Sequence, residues 1–208
     1  EIASCLVGSE MCIRDRISGG QTMNPSTEDI VKAIEQVNAK NVIILPNNKN
    51  IFMAAQSATE VVDVNAAVVE TRTVPQGFRS LLAFDPNQSI EANVEAMTVS
   101  LSDVTSGSVT LAVRDTTIDG LEIHENDILG MVDGKILVST PDMDQALLDT
   151  FEKMIDEDSE IVMIYVGEEG NQEQAQALAE KLEEIHEDIE VEIFQGDQPV
   201  YPYIFSVE

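Results

Sequence analysis

The sequence predicts an α/β fold, because amphipathic segments with helical spacing alternate with short apolar runs. Two of these runs, at residues 42–45 and 66–69, are typical of strands buried on both faces of a parallel sheet. Later in the chain, apolar runs flank the pair Asp133-Gly134, which favours a hairpin with a type I′ turn. We therefore expect a doubly wound, mostly parallel sheet half and a second α/β half with an antiparallel hairpin insertion.

Helix signals are clear in the first half. Ile30, Ile34 and Val37 share one face of a predicted helix, and Ser89 is a good N-cap residue for another. The predicted elements are helix 27–39, strand 42–45, helix 51–60, strand 66–69, a loop at 74–77, helix 78–84 and a helix from 89 to about 100.

The second half begins with alternating, β-type patterns and returns to strand–helix–strand. Its predicted elements are strand regions 109–114 and 118–123, the hairpin 128–138, a helix that begins at 140–142, strand 161–166, helix 171–187 and strands 189–194 and 203–207. We place one subdomain at residues 17–105 and the other at 106–208; a boundary at 139–142 is the alternative.

Residues 1–16 are treated separately, because from Cys5 to Arg16 they resemble a translated sequencing-library adapter. A signal peptide is the competing interpretation, but Glu1 and Glu10 and the lack of an apolar core argue against it. We predict an artefact, so that the first subdomain is truncated at its N-terminus. Both cysteines, Cys5 and Cys12, lie in this stretch, which leaves no thiol or disulfide chemistry elsewhere and fits a cytoplasmic protein.

Charge excludes several classes of partner. The 208 residues include 39 Asp and Glu against 11 Lys and Arg, a net charge of −28. Such a field repels nucleic acid and anionic membranes. No apolar run reaches the roughly 18 residues that a membrane-spanning helix needs.

Three polar loops, at residues 19–27, 46–50 and 71–77, follow or precede the predicted parallel strands. Ligands of open α/β sheets bind beyond the carboxyl ends of the strands, and a helix N-terminus can hold an anion. Simple helix capping and neutralisation of acidic neighbours by Lys49, Arg72 and Arg79 are the alternatives. The candidate ligand- or partner-binding residues here are Gln21, Thr22, Asn24, Ser26, Thr27, Asn47, Asn48, Lys49, Thr71, Arg72 and Gln76.

Recognisable catalytic motifs are missing after residue 16: the sequence has no P-loop, GxGxxG, HExxH, GxSxG or CxxC. His124, His186 and the pair at 168–169 are better explained as surface groups than as metal ligands. The residues alone therefore indicate an acidic α/β binding or interaction module without its own catalytic or metal site.

Four separated motifs carry a family resemblance. They are GGQTMNPST at 19–27, LPNNKN at 45–50, VPQG at 74–77 with LLAFD at 81–85, and QPVYPY at 198–203. In this order they resemble the C-terminal, DegV-like region of the catalytic chain of bacterial fatty acid kinase, in the dihydroxyacetone-kinase-like family. The last motif adds Gln198 and Tyr201 to the candidate site; a Gly-Gly pair is expected before it, and here it is Gly196-Asp197.

The resemblance implies a kinase that phosphorylates a fatty acid carried by a separate DegV-type protein, giving acyl phosphate for phospholipid synthesis. It implies that ATP and Mg²⁺ bind an N-terminal kinase domain outside this chain. This chain would then need no cofactor and would not be catalytic alone. It would contact the rest of the kinase and dock the carrier. Any homodimer would form through other domains of the kinase. The alternative is a DegV-type domain that binds a small carboxylate or phosphate.

Overall fold

The computed structural model describes residues 24–208 in full and the backbone of residues 4–8 and 12–17. The chain divides into two compact units, Glu1–Asp103 and Val104–Glu208. Each unit has its own sheet.

The first unit carries a four-stranded sheet in the order β2-β1-β3-β4. Only β3 and β4 are paired in parallel; β1 pairs antiparallel with both β2 and β3. The elements are β1 (Ser4–Gly8), β2 (Cys12–Ile17), α1 (Thr27–Val37), β3 (Asn41–Leu45), α2 (Phe52–Val61), β4 (Asn65–Val68), α3 (Val74–Leu82) and α4 (Ile90–Val99). Strands β1 and β2 lie almost wholly within residues 1–16. The adapter origin of that stretch stays a prediction.

Strand β3 is buried on both faces, as its apolar run predicts. Val42 and Ile44 pack with Ile30 and Ile34 of α1 on one side of the sheet. On the other side, Ile43 and Leu45 contact a second apolar cluster that includes Met97 of α4. Strand β3 is therefore the centre of the first unit, and the loop that follows it is held on a rigid strand.

The second unit carries a six-stranded sheet in the order β11-β10-β12-β5-β8-β9, in which only β10 and β11 are parallel. Phe151 of the first helix and Phe205 of the sheet lie 4.5 Å apart at the ring centroids within its core. The elements are β5 (Thr105–Leu111), β6 (Thr116–Ile118), β7 (Leu121–Ile123), β8 (Ile128–Val132), β9 (Lys135–Thr140), α5 (Met143–Phe151), β10 (Ile161–Val166), α6 (Gln172–Ile185), β11 (Glu190–Gln195) and β12 (Tyr203–Val207).

The hairpin prediction at Asp133-Gly134 is confirmed. Both residues have positive φ, 47° and 78°, as a type I′ turn requires, and they join β8 to β9. The strand region predicted at 118–123 is instead a second hairpin, because Asp119 and Gly120 also have positive φ and turn β6 back onto β7. The sequence carries the same Asp-Gly signal at both places, and the prediction used it only at Asp133-Gly134.

The predicted start of the third helix was wrong by four residues. Helix α3 begins at Val74 rather than Phe78, because the Thr73 hydroxyl accepts a hydrogen bond from the Gln76 N–H at 3.3 Å and caps the helix. Pro75 fits this first turn, where no intrahelical partner for its nitrogen is needed. The segment 74–77, expected to be a loop, is the first turn of the helix.

Candidate functional site at the carboxyl ends of the parallel strands

Two of the candidate residues meet where the parallel strands β3 and β4 end. Asn47 follows β3 and Thr71 follows β4; their side chains are 4% and 0% exposed. The Asn47 N–H donates to Thr71 Oγ1 at 2.9 Å, and the Thr71 hydroxyl donates to Asn47 Oδ1 at 2.8 Å. The reciprocal pair joins the two loops. It satisfies buried polar groups that would otherwise lower stability.

Helix α3 closes over this pair. Gly77 lies so close to Asn47 that a Cβ at position 77 would overlap Asn47 Oδ1. Asn47 itself has a positive φ of 54°, which asparagine tolerates better than most residues. Gly77 is not among the candidate residues predicted from the sequence, whereas Gln76 beside it is. The signal for its helical position was Thr73 followed by Pro75.

The N-terminus of α1 is capped by the side chains of Ser26 and Asp29. The Ser26 hydroxyl accepts from the Asp29 N–H at 3.2 Å, while Asp29 Oδ2 accepts from the Ser26 N–H at 3.0 Å. Hydrogen bonds from the Ser26 side chain and backbone lower the pKa of Asp29. With Glu28, two carboxylates thus occupy the first turn, where an anionic ligand would have to bind. Thr27 is the first helical residue.

The other two loops are capped in the same way. Asn48 Oδ1 accepts from the Asn50 N–H at 2.9 Å, and Gln76 Oε1 accepts from the Arg72 N–H at 2.8 Å. Lys49 and Arg72 are exposed, and within residues 24–208 neither makes an ion pair. Side chains of this chain, rather than a ligand, therefore satisfy these backbone donors.

Arg79 does not join the other two cations. It lies in α3, and its guanidinium pairs with Asp103 at 2.9 Å. For Arg79 the structure favours neutralisation of an acidic neighbour, which was the alternative stated from the sequence.

The remaining candidates lie elsewhere. Gln21 and Thr22 fall outside the described residues, and Asn24 is exposed. Gln198 and Tyr201 belong to the second unit, where the buried Gln198 amide donates to the carbonyl oxygens of Tyr165 at 2.9 Å and Tyr201 at 3.2 Å. Ligand binding by any of the candidate residues stays a prediction.

Acidic side chains are numerous, but they do not converge on a metal site in the part of the chain that the structure describes. Within those ranges, no group of three or more His, Cys, Asp or Glu side chains is placed to hold a metal ion. His124 is exposed, and its backbone N–H donates to the Asp127 carboxylate at 3.0 Å. None of the described helices combines the length and apolar character needed to cross a bilayer.

A family model for the C-terminal region of FakA-like fatty acid kinase proteins matches residues 3–208. The chain belongs to this family. The family was expected from the four sequence motifs, and that expectation is confirmed. The matched range also includes most of the stretch 1–16 that the sequence analysis set aside.

Relatives in staphylococci share almost half of the matched residues with this chain. An uncharacterized protein of Staphylococcus aureus (strain USA300) is 46% identical over 192 residues, which is 92% of this chain and 35% of that protein. An uncharacterized protein of Staphylococcus haemolyticus (strain JCSC1435) is 48% identical with the same coverage. The chain thus spans about a third of the length of these relatives.

Solved structures confirm the α/β, DegV-like fold. The Fatty Acid Kinase (Fak) B3 protein of Streptococcus pneumoniae, loaded with linoleic acid, matches with a TM-score of 0.66 and 13% identity over 100% of this chain and 90% of that chain. A fatty-acid-binding DegV family protein from Thermus thermophilus gives 0.61 and 16% identity over 89% and 78%. The dihydroxyacetone kinase of C. freundii gives 0.57 and 12% identity over 89% and 42%.

Proposed function

We propose that this FakA-like C-terminal domain docks a DegV-type protein that carries a fatty acid. In the whole kinase, residues outside this chain would bind ATP and Mg²⁺ and phosphorylate the presented fatty acid to an acyl phosphate for phospholipid synthesis. Membership of the family is the observation that carries the proposal. The chain itself would contribute recognition rather than chemistry.

The geometry of the strand-end loops supports a protein partner over a small anion. The helix starts at Ser26 and Thr73 are occupied by capping side chains, and Asp29 places a carboxylate where an anion would bind. The Asn47–Thr71 pair joins two of the loops to each other at the ends of neighbouring strands. A preformed surface of this kind loses little entropy when a protein binds it.

The charge of the chain supports steered association. With a net charge of −28, the domain attracts a partner through any basic surface that the partner presents. Opposite charge mainly raises the association rate, and salt screens it over a Debye length of about 10 Å at 0.1 M.

The test is a binding titration between this chain and a DegV-type protein encoded in the same genome and loaded with oleate. We expect saturable one-to-one binding with a dissociation constant of about 1 µM or tighter, weakening as NaCl rises from about 0.05 to 0.5 M. Serum albumin loaded with the same fatty acid is the control, since it offers the lipid without the DegV fold. Equal signals for both proteins, or none for the DegV-type protein, would rule the proposal out.

A further inference from the structure

Strand β4 is an edge of the sheet in the first unit. Of the strands that the structure describes, only β3 pairs with it, in parallel register. The N–H groups of Asn65 and of Val69, the residue after β4, each donate to a backbone carbonyl of the β3 segment at 3.0 Å. Because backbone groups alternate in direction along a strand, the N–H and C=O groups of Ala66 and Val68 point away from β3. Strand β4 thus presents backbone donors and acceptors at its outer edge.

This edge lacks the features that protect other sheet edges from pairing. In the second unit, edge strand β11 carries Glu190 and Glu192, while edge strand β9 carries Lys135 and a register shift in its pairing with β8. Charged residues and bulges of this kind discourage a further strand. Strand β4 has the sequence Asn-Ala-Ala-Val, without a charge, a proline or a register shift. Its edge is therefore open to an added strand.

Helix α4 forms a groove beside the edge of β4. The groove has a volume of about 550 Å³, and its apolar side chains include Ala67, Ile90 and Val94. Glu91 and Glu95 also line it, and both are exposed. None of the described residues that line the groove is basic. Proteins that bind extended peptides combine these parts: the strand edge supplies backbone hydrogen bonds, and the groove selects side chains.

The two carboxylates indicate the chemistry of the added strand. Glu91 and Glu95 are four residues apart on α4, so they share a face and are separated by about 6 Å along the helix. Alternate residues of an extended strand also share a face and are about 6.6 Å apart. Two basic residues at this spacing can reach both carboxylates while their methylene chains cover the apolar side chains of the groove. A second copy of this chain would instead bring four carboxylates together.

We propose that the outer edge of β4 and the groove beside α4 bind an extended segment of a partner protein in which lysine or arginine occupies alternate positions. The segment adds a strand to the sheet through the backbone groups of Ala66 and Val68, and its basic side chains meet Glu91 and Glu95. This inference goes beyond the docking function proposed above, because it rests on the geometry of the edge and not on the identity of the fatty acid carrier.

The probe is a short fluorescent peptide of alternating threonine and lysine, titrated into the whole chain. Its lysines share one face when it is extended, and threonine favours strands. We expect saturable one-to-one binding. Two further peptides carry N-methyl groups, one on every threonine and the other on every lysine. Because only alternate N–H groups of an added strand face β4, one methylated peptide should bind at least about tenfold more weakly and the other within about threefold of the parent.

Variants of the chain locate the bound peptide. Ala66→Pro removes an N–H that points outward, which an edge strand tolerates, and should raise the dissociation constant at least about fivefold. Glu91→Gln combined with Glu95→Gln should raise it at least about threefold at about 0.05 M NaCl. The matched control is Glu180→Gln combined with Glu184→Gln, an exposed pair with the same spacing on α6, which should change it less than about 1.5-fold. Thermal unfolding checks that each variant is folded; if Ala66→Pro is not, the carboxylate variants and the methylated peptides decide.

The contrary outcomes are equally specific. Unchanged affinity in the folded Ala66 and Glu91/Glu95 variants overturns the assignment of the groove. Equal loss of binding for both methylated peptides, or no loss for either, overturns strand addition. Self-association of the chain that the peptide displaces would assign the edge to a second copy and overturn the proposed partner. The titration with the DegV-type protein judges the docking function separately.

Discussion

Asn47 and Thr71 show that individual hydrogen bonds fix the geometry of the candidate site. They are 24 residues apart in sequence and are joined by two hydrogen bonds of 2.9 and 2.8 Å. Both side chains are buried, so neither can exchange its partner for water. At this scale the strand-end loops are a structural junction.

Replacing Thr71 with valine keeps the shape of the side chain and removes its hydroxyl. The Asn47 N–H and Oδ1 then lose the partners that Thr71 provides, and we expect the free energy of unfolding to fall by about 1–3 kcal/mol. Urea denaturation measures the change. Thr98→Val, at an exposed position of α4, is the control and should change stability by less than about 0.5 kcal/mol. Equal effects of both substitutions would show that the pair contributes little.

The connection between β7 and β8 depends on a buried carboxylate as well as on turn residues. Asp127, just before β8, accepts hydrogen bonds from the His124 N–H at 3.0 Å and from the Ser139 hydroxyl of β9 at 2.8 Å. These bonds favour the charged form and lower the pKa of Asp127, the His124 N–H being the larger cause. The carboxylate thus ties the β7–β8 connection to the neighbouring strand.

This contact makes stability depend on pH in a defined direction. Because the pKa of Asp127 is lower in the folded state than its unfolded value near about 3.9, its stabilisation is complete above about pH 4 and is lost as pH falls through the folded pKa. Asp127→Asn should lower Tm by a few degrees at about pH 7, and the difference from wild type should shrink below about pH 4. Thermal unfolding from about pH 2.5 to 7 measures both.

Loss of one negative charge needs its own control in so acidic a chain. Asp63→Asn removes a carboxylate from the connection between α2 and β4, and its Tm should stay within about 1 °C of the wild type at about pH 7. A difference between Asp127→Asn and wild type that stays constant across the pH range would contradict the role assigned to the charged form.

Charge dominates the molecule as a whole. The two units share 39 acidic and 11 basic residues, and the ion pairs within residues 24–208 are Lys32–Glu28 and Arg79–Asp103. Like charges repel most strongly in the compact state, where they are closest, so the net charge of −28 opposes folding. The same charge makes an unfavourable electrostatic contribution to any contact between identical chains.

Added salt should therefore stabilise the protein. Raising NaCl from about 0.02 to 1 M shortens the Debye length from tens of ångströms to about 3 Å, and we expect Tm at about pH 7 to rise by several degrees. The same titration near pH ~4, where many carboxylates are protonated, is the control and should show a smaller rise. A Tm that is flat or falls with salt at neutral pH would contradict this account.

Local signals in the sequence determined the class of the fold, the family and most helix and strand positions. Apolar periodicity identified α1 and β3, and Asp133-Gly134 identified the β8–β9 hairpin, because periodicity and positive φ are properties of neighbouring residues. Only the tertiary structure decided which polar residues meet. The Asn47–Thr71 pair and the contact of Gly77 with Asn47 depend on close packing and hydrogen bonds between segments distant in sequence. No local pattern encodes such distances.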